Sequence, residues 1–371
     1  MALTESSLRQ DAELPPLVPL SAPLLADAKP PYDASPAAYR RLRKMVSDAG
    51  LMERRYGYYV WRTLLTFSFL ALAIVLQLTV PDGWGWSALV AVAFGFALGQ
   101  TAMIGHDAAH HQIFKAARPN WFIGKICFSI IIGIGFWAWR TRHNIHHVET
   151  NDEDDDPDLS FGGFFTLNEQ EAASRRGWSR LVVRYQAWLF VPVLAAALAI
   201  VMRGEGWRVA LFELKGSRRV VELVLLTLNA VIWLAPTLHF GWGWLGVFAL
   251  TNVIGGLYLG MTIAPNHKGM PTWAGGTELT FLERQVLGSR NILPGRFAEF
   301  MYGGLNYQIE HHLFPTMPRA NLGAAHRIVL PFCQEQGIPF EEASMWESYR
   351  QTFAALNRCG LATRSQDGAS I

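Results

Sequence analysis

Six apolar segments, near residues 61–80, 86–104, 121–139, 186–202, 220–240 and 244–264, restrict this chain more than any other feature. In lipid every backbone polar group must be satisfied within the chain, so stretches of this kind fold as helices. A crossing helix needs roughly 20 mostly apolar residues, so not all six need to cross. The chain is not apolar throughout: mean hydropathy is only +0.16. Charged residues make up 17% of its 371 positions, below the roughly 25% of soluble domains. Membrane helices therefore share the chain with a large polar part. The region 265–371 is that part, with helical-looking runs near 278–290, 320–335 and 341–357, and it reads as a cytoplasmic cap.

The connectors give the sidedness. Pro81-Asp82-Gly83-Trp84-Gly85-Trp86 and Gly241-Trp242-Gly243-Trp244 contain no Lys or Arg, whereas 39–55, 175–184 and 203–219 are rich in them. By the positive-inside rule the two Gly-Trp-Gly-Trp connectors face outward and both termini face the cytoplasm. The first 36 residues hold seven prolines and acidic residues that include Glu5, Asp11 and Glu13, with neither the basic nor the apolar region of a signal peptide. They read as a disordered arm.

Other classes are set aside by counting. A net charge of +2 offers no concentrated basic face for nucleic acid. Cys127, Cys333 and Cys359 stand far apart, which supports neither a disulfide framework nor a thiolate zinc site.

Histidine carries the chemistry. In His106-Asp107-Ala108-Ala109-His110-His111, at the end of the second apolar segment, His106 and His110 are four apart and share a helical face, while His111 points away. His143-Asn144-Ile145-His146-His147 repeats spacings of three and four. Gln308-Ile309-Glu310-His311-His312 does so again with glutamine leading, where Gln308 is a weak ligand or an outer hydrogen-bond donor. Asn266-His267 follows the last apolar segment at the same membrane face. Ionisable groups beside membrane segments are functional by default. His239 and His326 read instead as amphipathic or surface residues. Eight candidate ligands result: His106, His110, His143, His146, His147, His267, His311 and His312. That exceeds one zinc site and argues for two metals, without naming them.

The three boxes resemble those of the membrane-bound fatty acid desaturases. Trp139-Arg140-Thr141-Arg142 before the second box, and Gly304-Leu305-Asn306-Tyr307 and Leu313-Phe314-Pro315 around the third, extend the likeness over roughly residues 60–335. The leading Gln308 is similar to the front-end and acyl-lipid branch; the His-Pro-Gly-Gly mark of a fused haem domain is absent from the sequence. The resemblance implies a non-haem di-iron centre that uses O2 to place a double bond in a fatty acyl chain. It also implies an external electron donor such as ferredoxin or a reductase. The acyl group would be linked to lipid, coenzyme A or a carrier protein. Related three-box hydroxylases, ketolases and alkane monooxygenases are the alternative, and a histidine-rich metal transporter is the alternative from another class. Asp107, Glu149, Asn151, Asn266 and Glu310 are candidates for orienting the imidazole rings. The acidic run 151–158 is a solvated loop or a docking site for a basic electron donor.

The resemblance also demands that all boxes face one side, so an even number of crossings separates each from the next. Segment 121–139, with Lys125 and several glycines, is then interfacial or re-entrant. Segment 186–202, bracketed by Arg184 and Arg203 and broken by Pro192, is interfacial as well. The expected fold is an all-α integral membrane protein. Four transmembrane helices (61–80, 86–105, 220–240 and 244–264) form two hairpins beneath a cytoplasmic helical cap that holds the metals. The expected limits are an arm over 1–38, the membrane desaturase domain over 39–335, and a cytoplasmic helix and tail over 336–371.

Overall fold

The computed structural model describes residues 32–79, 83–159 and 163–364. Most of the expected N-terminal arm lies outside these residues. Its expected limit at 38 falls inside a helix, Pro36–Asp48, whose N-cap Ser35 accepts from Ala38 N. That helix is drawn into folded structure because Ala38, Leu42 and Val46 pack against Ile309, Leu313 and Leu322 of the polar C-terminal region.

The apolar segments become helices somewhat longer than their apolar stretches. Tyr56–Thr79, Trp84–Ala109, Gln186–Phe212, Gly216–Phe240 and Gly243–Asn266 are each long and apolar enough to cross a membrane. The two Gly-Trp-Gly-Trp stretches mark helix starts. Gly83 precedes Trp84–Ala109, Gly241 turns with φ 69° ahead of Gly243–Ile263, and Trp84 and Trp242 stand exposed at these ends.

The central pair is Trp84–Ala109 against Gly243–Ile263. Close approach is possible because Gly95 and Gly99 lie one turn apart on the contact face, the small-residue spacing that lets membrane helices touch along their backbones. A Cβ at Gly95 would stand 2.6 Å from Ile254 Cγ2, and one at Gly99 would overlap the Tyr258 ring. Tyr258 is pinned there: its hydroxyl donates to Met301 O at 2.7 Å and accepts from Gln100 Nε2 at 2.6 Å.

Segment 121–139 is not one straight helix. Ala117–Ile132 and Phe136–Val148 meet at a bend of 111°, made by Gly133 (φ 88°) and Gly135 (φ 77°), conformations that side chains with a Cβ rarely adopt. The polar region supplies Phe281–Leu287, Leu322–Gln336 and Met345–Ala362, close to the three expected helical runs, and adds Gln308–Leu313, which was not among them. The first of these opens with a capping box between Thr280 and Glu283.

Gly99→Val is expected to lower the unfolding temperature of the detergent-solubilised protein, at a cost of about 2 kcal/mol from overpacking. Gly246→Ala, in the same helix pair but with open space beside it, is expected to leave it unchanged or slightly raised.

Candidate metal centre

Each box sits at a helix end pointing to one place. His106 lies on the last turn of Trp84–Ala109 and His110 is its C-cap. The second box ends Phe136–Val148, the third occupies Gln308–Leu313, and His267 follows the single turn Ala264–Asn266. All eight histidines singled out from the sequence come together, in two groups. In each group the potential ligand atoms lie within 4.8 Å of one another: His106, His110, His143, His147 and His311 in one, His146, His267 and His312 in the other. The groups adjoin, with the His147 and His312 rings stacked at 4.1 Å. Neither group contains a carboxylate or thiolate.

The nitrogens face one another without enough protons to pair them. His143 Nε2 lies 3.2 Å from His106 Nε2 and 3.1 Å from His147 Nε2. His110 Nε2, His312 Nε2 and both ring nitrogens of His311 are buried with no hydrogen-bond partner. Burial, then the neighbouring imidazoles, holds His110, His143, His147, His311 and His312 well below the usual histidine range. Burial lowers His267 to about 3. Neutral imidazoles with converging unshared lone pairs are what a divalent transition metal binds, so the donor set fits two such ions.

Outer contacts fix the rings. Gly288 O can only accept, so the His267 Nδ1 3.0 Å away carries the proton and Nε2 keeps the unshared pair, towards which Gln308 Nε2 points. Gln285 donates from Nε2 to His147 O at 3.0 Å, which turns its Oε1 to His312 Nδ1 at 2.8 Å. Asp156 accepts from His146 Nδ1 at 3.0 Å. Burial disfavours charge on both Asp156 and His146, yet their pairing prevails: the carboxyl is held at about 2 and the imidazole is raised.

The expected outer residues are placed unevenly. Asp107 stands 3.4 Å from His106 Nδ1 and, on its other oxygen, 2.7 Å from Arg319 Nε in a buried ion pair. Gln308 Nε2 is 2.9 Å from His267 Nε2, with its Oε1 held by Asn266. Asn151 touches no box imidazole; it donates to the same Gly288 carbonyl that receives His267. Glu310 orients no box ring: it accepts from Asn291 at 2.8 Å and pairs with His326 at 2.9 Å. That also corrects the surface reading of His326, a residue paired with Glu310 and Glu342. Glu149 pairs with Arg284. As expected, His111 stays outside both groups, its Nε2 accepting from Trp121 Nε1 at 3.0 Å.

The acidic run is divided: Asp154 and Asp155 are exposed, whereas two of its carboxylates turn inward. Asp152 and Asp156 are buried and accept from the backbone N–H groups of residues 154 and 155, and of 151 and 158. Asp154 accepts from Gly275 N. These carboxylates tie a turn to the metal centre. Sequence reasoning missed Asp156, Gln285 and Gly288; for Asp156 the available signal was an acidic residue ten positions after a box histidine.

An apolar cavity opens onto the same rings. His106, His143, His146 and His267 line one side, and Met103, Phe128, Ile134, Leu198, Val201 and Leu259 are among its apolar walls.

Gln285→Leu is expected to weaken metal binding about 10- to 100-fold, the usual effect of removing an outer ligand contact, measured by chelator competition on the purified protein.

Residues 83–344 match the family model for fatty acid desaturases. The chain is 27% identical over 353 residues to the Delta(6)-fatty-acid desaturase fat-3 of Caenorhabditis elegans, covering 88% of this chain and 77% of that protein. It is 28% identical to an acyl-lipid (9-3)-desaturase of Borago officinalis (88% and 75% covered). Against a Delta(8)-fatty-acid desaturase of Euglena gracilis it is 26% identical (81% and 74% covered).

Proposed function

The chain belongs to the fatty acid desaturase family, and we propose that it inserts a double bond into a long acyl chain lying in the cavity beside the two histidine groups. It is a membrane oxidoreductase acting on fatty acyl substrates. The observation that supports this placement is the apolar cavity that shares its wall with His106, His143, His146 and His267.

An unactivated methylene has no accessible pKa, so side-chain acid–base chemistry cannot remove its hydrogen, and a metal must supply the oxidant. Two iron ions, held by the five-histidine and three-histidine groups, would supply it with O2. An external donor such as ferredoxin or a reductase would contribute two electrons. Two hydrogens leave adjacent carbons and, with two further protons, O2 becomes two waters. The residues of this chain do the rest. Gln285, Asp156 and Gly288 keep the Nε2 atoms of His312, His146 and His267 facing the metals. Met103, Phe128, Leu198 and Leu259 exclude water and confine the acyl chain, which substitutes orientation for a chance encounter. Oxygen insertion by a related hydroxylase needs the same centre and differs in product. A transporter reading loses support because its sites lie near the bilayer midplane, whereas both histidine groups gather at helix ends.

For topology we infer four crossings, Tyr56–Thr79, Trp84–Ala109, Gly216–Phe240 and Gly243–Asn266. Boxes two and three meet at one centre, so an even number of crossings separates them. Gln186–Phe212 is the helix to set aside. It contains Arg203, Glu205 and Arg208, and Gln186 at its start is bonded to Thr166 and to Leu356 of the polar region. Both termini and the metal centre then face the cytoplasm.

Expression in a host lacking unsaturated chains is expected to give a new double bond, located by lipid mass spectrometry. His143→Ala, His146→Ala and His311→Ala are each expected to abolish it and to lower iron from about two per chain while the protein still inserts. A hydroxyl or keto product would instead mark the alternative chemistry. For sidedness, the three native cysteines are buried, so a cysteine placed at Trp242 should react with an impermeant maleimide in intact cells. One placed at Arg176 should react only after permeabilisation.

A further inference from the structure

One face of a membrane helix grips the re-entrant bend at residues 133–135. The buried residues of Gly216–Leu234 are Glu222, Leu226, Asn229 and Trp233, a single stripe at spacings of four and three. Three of them carry polar atoms, and all three use them on the bend. Glu222 Oε1 accepts from Phe136 N and from Ser129 Oγ, both at 2.7 Å. Asn229 Nδ2 donates to Ile130 O at 2.7 Å and to Ile131 O at 3.1 Å, and Trp233 Nε1 donates to Ile131 O at 3.0 Å. The amide is held in that sense because its Oδ1 accepts from an Arg203 guanidinium nitrogen at 2.8 Å, and a guanidinium only donates. Carbonyls at the end of one helix and the first N–H of the next would otherwise lack partners where the chain breaks, and a carboxylate at a helix N-terminus is favoured by the dipole as well.

What hangs on the bend is the reacting geometry itself. Phe136–Val148 carries His143, His146 and His147, and Ile134, Ala138 and Trp139 at its start line the cavity. Trp139 also stacks on His143 with ring centroids 4.3 Å apart. Three metal-facing imidazoles and one wall of the acyl cavity thus move as a single piece. A shift of one helical residue, about 1.5 Å along the axis, is comparable with the spacing of successive chain carbons.

We propose that Glu222 and Asn229 are positioning residues that set the register between acyl chain and metal centre, and so help to select the carbon pair that is desaturated. The proposal rests on the desaturase reading of the cavity. Neither residue lines the cavity or belongs to a histidine group; they act through the bend.

The test is the position of the double bond, which a merely structural role would not move. The full chain and its Glu222→Ala, Asn229→Ala and Glu222→Gln variants are expressed in a host lacking unsaturated chains. Double bonds are located by mass spectrometry, and iron is measured on each purified protein. The unmodified chain is expected to give one dominant positional isomer. The two alanine variants should raise a neighbouring isomer at least about fivefold, the ratio that one lost hydrogen bond is worth, with iron retained. Glu222→Gln, which keeps an acceptor oxygen, should restore the original isomer. The same single isomer at lower yield from both alanine variants would overturn the proposal. Should those variants fail to accumulate, Ser129→Ala removes the hydroxyl that donates to Glu222 and accepts from Phe136 N while leaving the Glu222–Phe136 bond, and an unshifted isomer from it overturns the proposal equally. No unsaturated product from the unmodified chain would defeat the desaturase reading, and this proposal with it.

Discussion

Eight imidazoles with converging ring nitrogens, gathered in one small volume, are the condition that the rest of the fold serves. Such a set is unfavourable by itself: each nitrogen has left water and meets others like it. Burial suppresses the protonation that would relieve the first problem, since His110, His147 and His311 are all pushed far below the usual range. A divalent cation resolves both at once. No one helix can supply eight such groups, so four chain segments must end at the same level. On the proposed topology, that requirement sets the parity of the membrane crossings between them.

The boxes were legible because their information is local. Spacings of three and four place imidazoles on one side of a helix whatever the rest of the chain does, and adjacency to apolar segments fixes their level. The outer contacts were not legible, because they join residues far apart in sequence: Gln285 meets His312 from another helix, and the partner of His267 is a backbone oxygen, which no side-chain pattern reveals. Glu310 shows the converse error. Its place between box residues suggested that it orients a ring, but a helical carboxylate next to a ligand points away from the ligand's face, and it meets Asn291 and His326 behind the centre.

Charge density misleads in a similar way. Five carboxylates in a row, at 152–156, look solvated when only composition is considered. Asp152 and Asp156 are buried because a tight turn needs acceptors for its backbone N–H groups, and because one oxygen of Asp156 serves His146. The same turn contains Asn151 at φ 59°, a left-handed conformation that asparagine tolerates better than most residues. The chain thus closes the metal centre with a short segment in which the Asp156 carboxylate serves both the turn and His146.

Polar side chains within the apolar helices follow a related logic. Glu222 and Asn229 are expensive in a low-dielectric layer, and a bundle of straight helices would have no use for them. They occur where Ala117–Ile132 and Phe136–Val148 break, a place where the backbone itself exposes carbonyls and N–H groups that lipid cannot satisfy. Arg203 bonds Asn229 and Asn252, so Gln186–Phe212 is joined to both helices of the second hairpin by the residues that support the break. The distribution of charge in the membrane layer is therefore a consequence of where the second histidine box has to stand.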